Sequence, residues 1–529
     1  MPPTRENAAR PPAPLRLAEL IAALSVGTDI GTGQPIEHAL RTCLLSQELA
    51  RRSGIAGDQL ADVYYLALLR FVGCTADAAE TAALVGGNEI GFIAGMAPAF
   101  MGTTGEQMRA LIRSTGVDLP PLRRAGRIAA ALAEVKGAER AVTAHCDAAQ
   151  QLSARLGVSE GVTSALGLAF ERWDGKGIPG RCTGKEVPEA VRVVVVARDV
   201  DLWVRLAGVE QAIEIIARRA GRAYDPAVAA AFTTDAPAVL GAVGSPDAWQ
   251  AVLDAEPEPA IRIGPDQLPA VLHAFADFAD LKSPWFRGHS RAVAALAADA
   301  ARVSGLPDAE VTAVLHAGLV HDLGRVGIPN GIWDRTGPLS VDDWEKVRLH
   351  PYLTERILNR SATLAPLARL AACHHERADG SGYYRNACGP ELSYPEQLLA
   401  AADAYQAMTE ARPHRPALSL DRAAAELRRE CAAGRFATAV VAAVLEAGGH
   451  ATGSQHKPWP AGLTEREIEV LRLIARGHSN RSVATALVIS PKTVGAHVEH
   501  IYTKAGVCTR AGAALFAMQH HLLEPPNDR

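Results

Sequence analysis

Apolar residues recur every three to four positions through most of the chain, which is the pattern of amphipathic helices. One such stretch covers 288–305 and the next covers 308–324, and each ends at a glycine that suits a helix C-terminus. A further helix is indicated at 362–375, and another begins at Pro395, because proline is favoured in the first helical turn. The pattern therefore predicts an all-α protein.

Length and composition agree with this prediction. The chain of 529 residues is long enough for two to four domains, each with its own core. It is 48% hydrophobic, 21% charged and only 5% aromatic, and its abundant Ala and Leu favour helices over sheets. The formal net charge of −4 implies no general attraction to nucleic acid, so any DNA contact must be local.

The chain carries no sign of export or membrane insertion. Its eight cysteines are scattered without a CxxC pair, and no apolar run approaches the roughly 18 residues of a membrane span. Residues 1–14 are rich in Pro and Arg and have no apolar segment, so we predict a disordered tail rather than a signal peptide. These features predict a cytoplasmic protein without a membrane contact.

The first half of the chain resembles the second at fixed offsets. A shift of 251 residues aligns two segments, and after an insertion of 46 residues a shift of 205 aligns two more. The aligned pairs are His38 with His289, 65–73 with 316–324, His145 with His350, 170–180 with 375–385 and, after one further gap, Asp199 with Asp403. Such self-similarity predicts two tandem domains of one fold.

The second half concentrates side chains that ligate metals. Five histidines and two aspartates lie between positions 289 and 403: His289, His321, Asp322, His350, His374, His375 and Asp403. Neutral imidazole together with carboxylate suits Fe, Mn or Zn rather than Ca or Mg. Seven such groups are more than one metal needs, and they suit two divalent metal ions that share a bridging aspartate.

The first half lacks most of these groups. The pair Arg70-Phe71 replaces His321-Asp322, and Ala169-Phe170 replaces His374-His375. A guanidinium cannot ligate a metal and a phenyl ring offers no lone pair, so we expect no dinuclear centre in this half. Two roles stay open for it: a structural or dimerising domain, or a sensory domain whose pocket still takes a ligand.

The order of these motifs, H … HDxG … HP … HHExxDGxGY … AD, resembles the HD-GYP subgroup of the HD phosphohydrolases. The resemblance implies a helical domain whose dinuclear or trinuclear metal site hydrolyses cyclic di-GMP or a related phosphodiester. It also implies that Asp322 bridges the metals and that Asp322 and Arg325 are the catalytic residues. The implied metal ligands are His289, His321 and Asp403 on one side and His350, His374 and His375 on the other.

The resemblance also assigns a substrate side to the site, which consists of Asp379, Gly380, Gly382, Tyr383, Arg412 and Arg415. Three positions depart from the family pattern. Arg325 stands in place of a lysine, Tyr384 in place of the proline of "GYP", and Trp285 where trinuclear members place a glutamate, so we expect two metals. These departures leave open a second interpretation, a metal-loaded site that binds a nucleotide and signals without turnover.

After a Gly/Ser/Pro-rich linker, residues 463–523 resemble the helix-turn-helix domain of LuxR-type transcriptional regulators. Cap residues mark three helix starts: Thr464 with Glu467 three positions on, Ser479, and Ser490 before Pro491. The resemblance makes the third helix the one that enters the major groove and the fourth the one that pairs protomers. The candidate DNA contacts are Asn480, Ser490, Lys492, Thr493, Gly495, Ala496, His497, Glu499 and Lys504.

Together these predictions divide the chain into five parts. They are a tail at 1–14, a degenerate HD-like domain at 15–250, an HD-GYP-like domain at 251–447, a linker at 448–460 and a helix-turn-helix domain at 461–525. Two functions remain open. In the first, a homodimeric regulator hydrolyses a cyclic dinucleotide or another phosphorylated small molecule, and its occupancy sets binding to promoter DNA. In the second, a DNA-binding transcription factor carries HD-like domains that only sense a ligand or dimerise.

Overall fold

The fold is helical throughout the part of the chain that the structure describes. The structure is a computed structural model and describes residues 15–241, 243–244, 247–449 and 459–523. The tail predicted at 1–14 and most of the predicted linker, residues 450–458, lie outside the described residues. Within them the single sheet pairs the two-residue strands β1 (Leu15–Arg16) and β2 (Arg262–Ile263), which are antiparallel. The prediction of an all-α fold is confirmed.

The helices of the first half span the degenerate copy of the repeat and its insertion. They are α1 (Leu17–Gly31), α2 (His38–Arg52), α3 (Asp58–Leu69), α4 (Ala78–Val85), α5 (Glu89–Met96), α6 (Thr104–Ser114), α7 (Pro121–Ala133), α8 (Val135–Leu156), α9 (Glu160–Leu166), α10 (Glu189–Ala207), α11 (Val209–Arg219), α12 (Pro226–Thr233), α13 (Ala236–Gly241) and α14 (Ala248–Asp254).

The remaining helices form the second copy and the C-terminal module. The second copy contains α15 (Leu268–Asp280), α16 (His289–Val303), α17 (Asp308–Val320), α18 (Asn330–Trp333), α19 (Val341–Arg348), α20 (His350–Leu358), α21 (Ala365–Ala372), α22 (Tyr394–Thr409), α23 (Leu420–Ala432) and α24 (Thr438–Gly448). The module contains α25 (Glu465–Ala475), α26 (Asn480–Leu487), α27 (Pro491–Ala505) and α28 (Arg510–Gln519).

The two halves repeat one framework. A shift of 251 residues maps α2 onto α16 at both ends. A Cβ added to Gly73 would lie 2.0 Å from the carbonyl oxygen of His145, and one added to Gly324 would lie 1.9 Å from that of His350. Both halves therefore make the same close approach of two backbones, which only glycine allows.

The shift of 205 residues holds further along the chain than the sequence alignment predicted. It maps the 3₁₀ turn Gly184–Glu186 onto Gly389–Glu391, and it maps the start of α10 onto the start of α22. No gap intervenes, so the counterpart of Asp403 is Arg198. The predicted alignment of Asp199 with Asp403 is wrong, because a slip of one residue turns a side chain about 100° around a helix.

The two halves share one contiguous hydrophobic core and do not form separate units. Helix α1 packs against α20 and the 3₁₀ turn Leu323–Gly327, and α15 packs against α8. The insertion also reaches the second half, because the Glu89 carboxylate accepts a hydrogen bond from Nζ of Lys282 at 2.6 Å. Among the described residues, no helix combines the length and the apolar character needed to cross a membrane.

Candidate metal centre and DNA-binding module

The predicted metal ligands come from the ends of several helices. His289 is the first residue of α16 and His350 is the first residue of α20. The pair His321-Asp322 directly follows α17, and His374-His375 lie in a 3₁₀ turn that directly follows α21. These ends meet with Asp403 on α22, and every one of these side chains except that of His375 is fully buried.

Asp322 lies between two groups of histidines. Its Oδ2 is 3.0 Å from Nε2 of His321 and 3.5 Å from Nε2 of His289. Its Oδ1 is 3.5 Å from Nε2 of both His350 and His374. Within the described residues Oδ1 of this buried carboxylate has no hydrogen-bond partner, and Oδ2 is paired with the Arg325 guanidinium. A carboxylate whose two oxygens face imidazole nitrogens on both sides fits one that would bridge two cations.

The ligand atoms form two sets. In the first set, one ring nitrogen from each of His350, His374 and His375 lies within 4.8 Å of the other two. In the second set, one ligand atom from each of His289, His321 and Asp322 lies within 4.8 Å of the other two. Asp403 stands between the sets, because its Oδ1 is 3.1 Å from Nε2 of His289 and its Oδ2 is 3.6 Å from Nδ1 of His375. All seven predicted ligands therefore lie in one cluster.

Hydrogen bonds at Nδ1 orient four of the imidazoles. Nδ1 of His289 lies 2.9 Å from Oε2 of Glu410. Nδ1 of the other three lies 2.6–2.7 Å from a backbone carbonyl oxygen three residues earlier. These pairs are His321 with Gly318, His350 with Val347 and His374 with Ala371. Donation from Nδ1 turns the lone pair of Nε2 toward the cluster, which is the usual arrangement of a ligating histidine.

Burial keeps one set of imidazoles neutral. Burial, followed by the neighbouring His374, lowers the pKa of His350 to about 3. Burial likewise lowers the pKa of His374, and it lowers the pKa of His375 far below the ordinary value. A metal binds the unprotonated imidazole, so this set is ready to ligate without losing a proton.

The other set carries protons when no metal is bound. Burial disfavours the charge on His321, but the carboxylate of Asp322 outweighs burial and raises the pKa of His321 to about 10. At His289, burial is outweighed by Glu410 and Asp403, which raise its pKa. The pKa of Asp322 stays well below its usual value despite burial, because Arg325 and His321 favour its charged form.

Arg325 lies beside the ligand atoms. Its Nη1 is 2.7 Å from Oδ2 of Asp322, and its Nη2 is 3.5 Å from Nε2 of His289. Its guanidinium stacks over the ring of Phe286 at 4.3 Å and over that of Trp333 at 5.7 Å. The two rings hold this cation in place next to the carboxylate that faces both histidine sets.

The predicted substrate loop approaches the cluster through Tyr383. The Tyr383 ring centroid lies 4.7 Å from that of His375. Gly382 permits the tight loop, because a Cβ there would lie 2.5 Å from the backbone nitrogen of Arg377. Asp379 is exposed, and its carboxylate accepts hydrogen bonds from the N–H and O–H of Ser381, so it shapes its own loop.

The two predicted substrate arginines differ in their contacts. Arg412 donates to the carbonyl oxygen of Trp285 at 2.7 Å and to the carboxylate of Glu410 at 2.8 Å. The same carboxylate contacts His289, so Glu410 links Arg412 to that histidine. Arg415 donates to backbone carbonyls at the end of α22, including those of Met408 and Glu410. Arg415 therefore stabilises the helix end, and Arg412 supports the metal cluster.

Glu410 is a residue of the site that the sequence pattern did not single out. It accepts from His289 and from Arg412, and these two cations outweigh burial and hold its pKa at about 2. Glu410 directly follows the last residue of α22 and has an extended backbone, so the helical spacing from Asp403 did not point to it.

The C-terminal module has the predicted helix starts. The side chains of Thr464, Ser479 and Ser490 cap α25, α26 and α27 by accepting backbone N–H bonds. On α27, Val494 and Ile501 are buried against the rest of the module. The exposed residues of the same helix include Lys492, Thr493, Ala496 and Glu499. Gly495 opens onto empty space and His497 is half-buried on the same helix.

Three of the predicted DNA contacts are engaged within the module. Oδ1 of Asn480 accepts from Nη2 of Arg510 at 2.5 Å. The Ser490 hydroxyl accepts the N–H of Thr493, and Lys504 donates to Oε2 of Glu467 at 2.7 Å. These three side chains stabilise the helix packing, whereas Lys492 makes no such contact in the described residues.

The fourth helix of the module is covered by the rest of the chain. Residues Ala511–Met518 of α28 are all buried, and the helix packs against α8 and α15 as well as α25. The Thr509 hydroxyl donates to the Asp147 carboxylate, and a Cβ added to Gly512 would lie 2.4 Å from Oδ2 of Asp147. The surface that the sequence assigned to protomer pairing is therefore occupied within the chain.

A second contact joins the module to the metal centre. Half-buried Arg287 donates to the carbonyl oxygen of Ala475 at the end of α25. A Cβ added to Gly477 would lie 2.8 Å from Cβ of Pro284. The segment 284–289, which ends at the ligand His289, thus touches the C-terminal module on one side and the metal cluster on the other.

Two family models match the sequence. The model described as "HD domain" matches residues 131–228 and 273–440, which together make up half of the chain. The chain belongs to the HD domain family. The model described as "Bacterial regulatory proteins, luxR family" matches residues 461–517, so this HD-domain protein carries a LuxR-family module at its C-terminal end.

Relatives of this HD-domain protein include cyclic dinucleotide phosphodiesterases. 3'3'-cGAMP-specific phosphodiesterase 3 of Vibrio cholerae is 28% identical over 417 residues, which cover 77% of this chain and 90% of that protein. A cyclic di-GMP phosphodiesterase of Thermotoga maritima is 31% identical over 159 residues, which cover 30% of this chain and 42% of the other.

A solved structure extends this similarity to the fold. The crystal structure of a cyclic GMP-AMP specific phosphodiesterase of V. cholerae has a TM-score of 0.57 and is 25% identical, covering 82% of this chain and 98% of the other. A match of that extent includes both halves of the repeat. The degenerate copy therefore shares its fold with a solved phosphodiesterase.

We expect metal binding near neutral pH to release at least one proton, because His321, whose pKa is raised to about 10, holds a proton that a cation must displace. Titration calorimetry of the metal-free protein with Mn²⁺ in buffers of different ionisation enthalpy measures the number released. The affinity should also weaken as the pH falls, and the variant His321→Ala should release fewer protons. Metal uptake without proton release would contradict the protonation described here.

Proposed function

We propose that this protein is a transcriptional regulator that hydrolyses a cyclic dinucleotide at the metal centre of its second half and binds promoter DNA through its LuxR-family module. The observation that carries the proposal is the position of Asp322, whose two oxygens face two sets of histidines. Because DNA and cyclic dinucleotides meet in the cytoplasm, we place its action there.

The substrate class follows from the relatives and from the donor set. We infer 3'3'-cGAMP and cyclic di-GMP as the candidate substrates, because related proteins are named for these two molecules. Both are phosphodiesters, and a paired-cation site is suited to the hydrolysis of a phosphodiester. Turnover measured side by side with both molecules identifies the preferred one.

The ligand atoms present fit two divalent ions of Fe, Mn or Zn. We assign His350, His374 and His375 to one ion, His289, His321 and Asp403 to the other, and Asp322 to both. When bound, such metals lower the pKa of water from near 16 toward 7 and offset the charge of the phosphoryl oxygens. The neutral set needs no proton loss, so we expect it to fill first.

The chain's own residues supply orientation and charge around the substrate. Glu410 holds the His289 imidazole by its Nδ1, and Arg412 holds Glu410 in turn. Arg325, which contacts the rings of Phe286 and Trp333, is placed to neutralise negative charge on a phosphoryl oxygen near Asp322. Tyr383 packs on the His375 ring and brings the predicted substrate loop next to the site.

A second function is favoured by one contact. The guanidinium of Arg325 lies 2.7 Å from Oδ2 of Asp322, on the side of the carboxylate that also faces His289 and His321. A cation held there competes with a metal on that side. In this alternative the site binds a nucleotide without turnover, and the protein is a transcription factor that senses the ligand.

Asp322→Ala tests the enzymatic proposal. We expect the variant to lose bound metal and to hydrolyse 3'3'-cGAMP more than about 100-fold more slowly. Changing a residue that only contacts a metal ligand typically slows an enzyme by about 10- to 100-fold, and the loss of a ligand should exceed this. Metal content by elemental analysis and release of the linear product measure the two effects. His316→Ala is the matched control. His316 lies on α17, five residues before His321, and belongs to neither ligand set.

The two functions give different results in this experiment. Metal-dependent turnover that requires Asp322 and survives His316→Ala supports the enzyme. Wild-type protein that holds metal and binds the dinucleotide without any turnover supports the sensor and removes the hydrolase.

Lys492→Ala tests the DNA interface. Lys492 is exposed near the start of α27, so we expect it to contact a DNA phosphate. Its loss should weaken binding to duplexes of any sequence and reduce the slope of log affinity against log salt by about one unit. Fluorescence anisotropy with a labelled duplex measures the slope, and Lys346→Ala, an exposed lysine of α19, is the control. An unchanged slope would remove Lys492 from the interface.

The docked position of α28 supports coupling between the two activities. We infer that the module must leave α8 before α28 can pair with a second protomer, because the same helix face serves both contacts. Gly512→Leu tests this, since any side chain at that position collides with Asp147 on α8. We expect amide hydrogen exchange in α28 to become at least about tenfold faster, as overpacking of this size costs about 1–3 kcal/mol.

The control for this variant is Gly495→Leu, which adds the same side chain to α27 where no atom lies within 4 Å. It should leave the exchange of α28 unchanged. Equal exchange in both variants would mean that the docked arrangement does not restrain α28.

A further inference from the structure

The first half of the repeat contains a site that the proposed function does not use. At the position of the ligand His321 it carries Arg70, and at the position of the ligand Asp403 it carries Arg198. Because the two halves share one framework, these guanidiniums lie where the second half gathers its ligand atoms. We call this cluster, which also includes Arg219 and His38, the guanidinium site.

The donors of the guanidinium site are buried and incompletely paired. Arg70 and Arg198 are each only 3% exposed. Within the described residues, Nε and Nη1 of Arg70 have no hydrogen-bond partner, and neither has Nε of Arg198 or Nε of Arg219. Nε2 of His38, which corresponds to the metal-facing nitrogen of His289, also lacks a partner. Several buried donors therefore have no acceptor.

Negative charge is scarce around these donors. Asp199 pairs with both Arg198 and Arg219, and the Tyr224 hydroxyl also donates to it. Asp201 is engaged by His38 and pairs with two other arginines, Arg41 and Arg205. In the described residues Arg70 has no ion pair, whereas Arg198 pairs with Asp199, and Arg219 pairs with Asp199 and, at 3.9 Å, with Glu106.

Arg70 is held by aromatic rings instead of a carboxylate. Its guanidinium carbon lies 5.6 Å from the ring centroid of Phe71 and 5.2 Å from that of Phe170. Burial, with a smaller contribution from Arg198, lowers the pKa of Arg70 to about 9, so the group stays protonated at neutral pH. Phenyl rings supply no oxygen acceptor, so the edge of Arg70 formed by Nε and Nη1 stays unpaired.

The acceptor that suits such an edge is an oxyanion. A buried cation without a counter-charge disfavours folding, and an anion that enters the site offsets this cost. Guanidinium N–H pairs match the oxygen spacing of a phosphate and bind it in a bidentate manner. The group most suited to this cluster of donors is therefore a phosphate.

We propose that the first half binds a phosphate group at the guanidinium site, where Arg70, Arg198 and Arg219 neutralise the charge that metals neutralise in the second half. Phe71 stands in place of Asp322, so this half has no bridging carboxylate and holds a phosphoester without cleaving it. The proposal goes beyond the proposed function, because it needs neither metal nor turnover in the second half.

The insertion forms the outer wall of the guanidinium site. The carbonyl oxygen of Ala97 accepts from Arg198 at 2.8 Å, and that of Pro98 accepts from Arg219 at 2.9 Å. The ring of Phe100 lies over the Arg198 guanidinium at 5.4 Å. Residues 97–100 therefore engage other N–H groups of these two arginines and leave both Nε atoms unpaired.

The test uses the full chain with Asp322→Ala and no metal, so that the second half contributes no metal-bound phosphodiester. Titration calorimetry is carried out with inorganic phosphate, with 3'3'-cGAMP and with its linear product. We expect at least one to bind at one site per chain, and Arg70→Met to weaken that binding at least tenfold. Arg52→Met, a change of a surface arginine on α2 in the same half, should leave the affinity unchanged.

Melting temperature without ligand separates a binding role from a structural one. Because Arg70 is a buried cation without a counter-ion, we expect Arg70→Met to melt at the same or a higher temperature, and Arg70→Lys to bind with intermediate affinity. Saturation by phosphate alone identifies a free-phosphate site, and saturation only by the dinucleotides identifies a nucleotide site; either result supports the proposal. Absence of saturable binding by all three, binding that survives Arg70→Met, or a lower melting temperature of that variant overturns it.

Discussion

The fold of the second half depends on the burial of one carboxylate, that of Asp322. A charged group in the interior is tolerated only when cations or hydrogen-bond donors compensate it. Around Asp322 the compensation comes from four histidines and from Arg325, whose Nη1 forms an ion pair with Oδ2. The ends of α16, α17, α20 and α21 converge on this one group, which is why the helices meet where they do.

The repeat shows what happens to the same framework when that carboxylate is absent. Phe71 takes the position of Asp322, and guanidiniums take the positions of His321 and Asp403. The backbone approach at Gly73 and Gly324 is nevertheless the same. One scaffold therefore carries a negatively charged centre that attracts cations in the second half and a positively charged cluster in the first.

Much of the helical structure could be predicted from the sequence, because periodicity and caps such as Thr464, Ser479 and Ser490 act locally. The metal cluster could also be predicted, since its motifs resemble a known family. The counterpart of Asp403 could not, because an alignment accepts a one-residue gap that a helix does not. Glu410 and the burial of α28 against α8 also escaped prediction, because contacts between distant segments leave no local pattern.

Anomalous diffraction from crystals of the metal-loaded protein tests the central claim most directly, because it locates bound cations without reference to activity. The account predicts two peaks about 3.5–4 Å apart, one on each side of the Asp322 carboxylate. One should lie beside His350, His374 and His375, and the other beside His289 and His321. A single peak remote from Asp322, or none in protein that retains its metal, would contradict it.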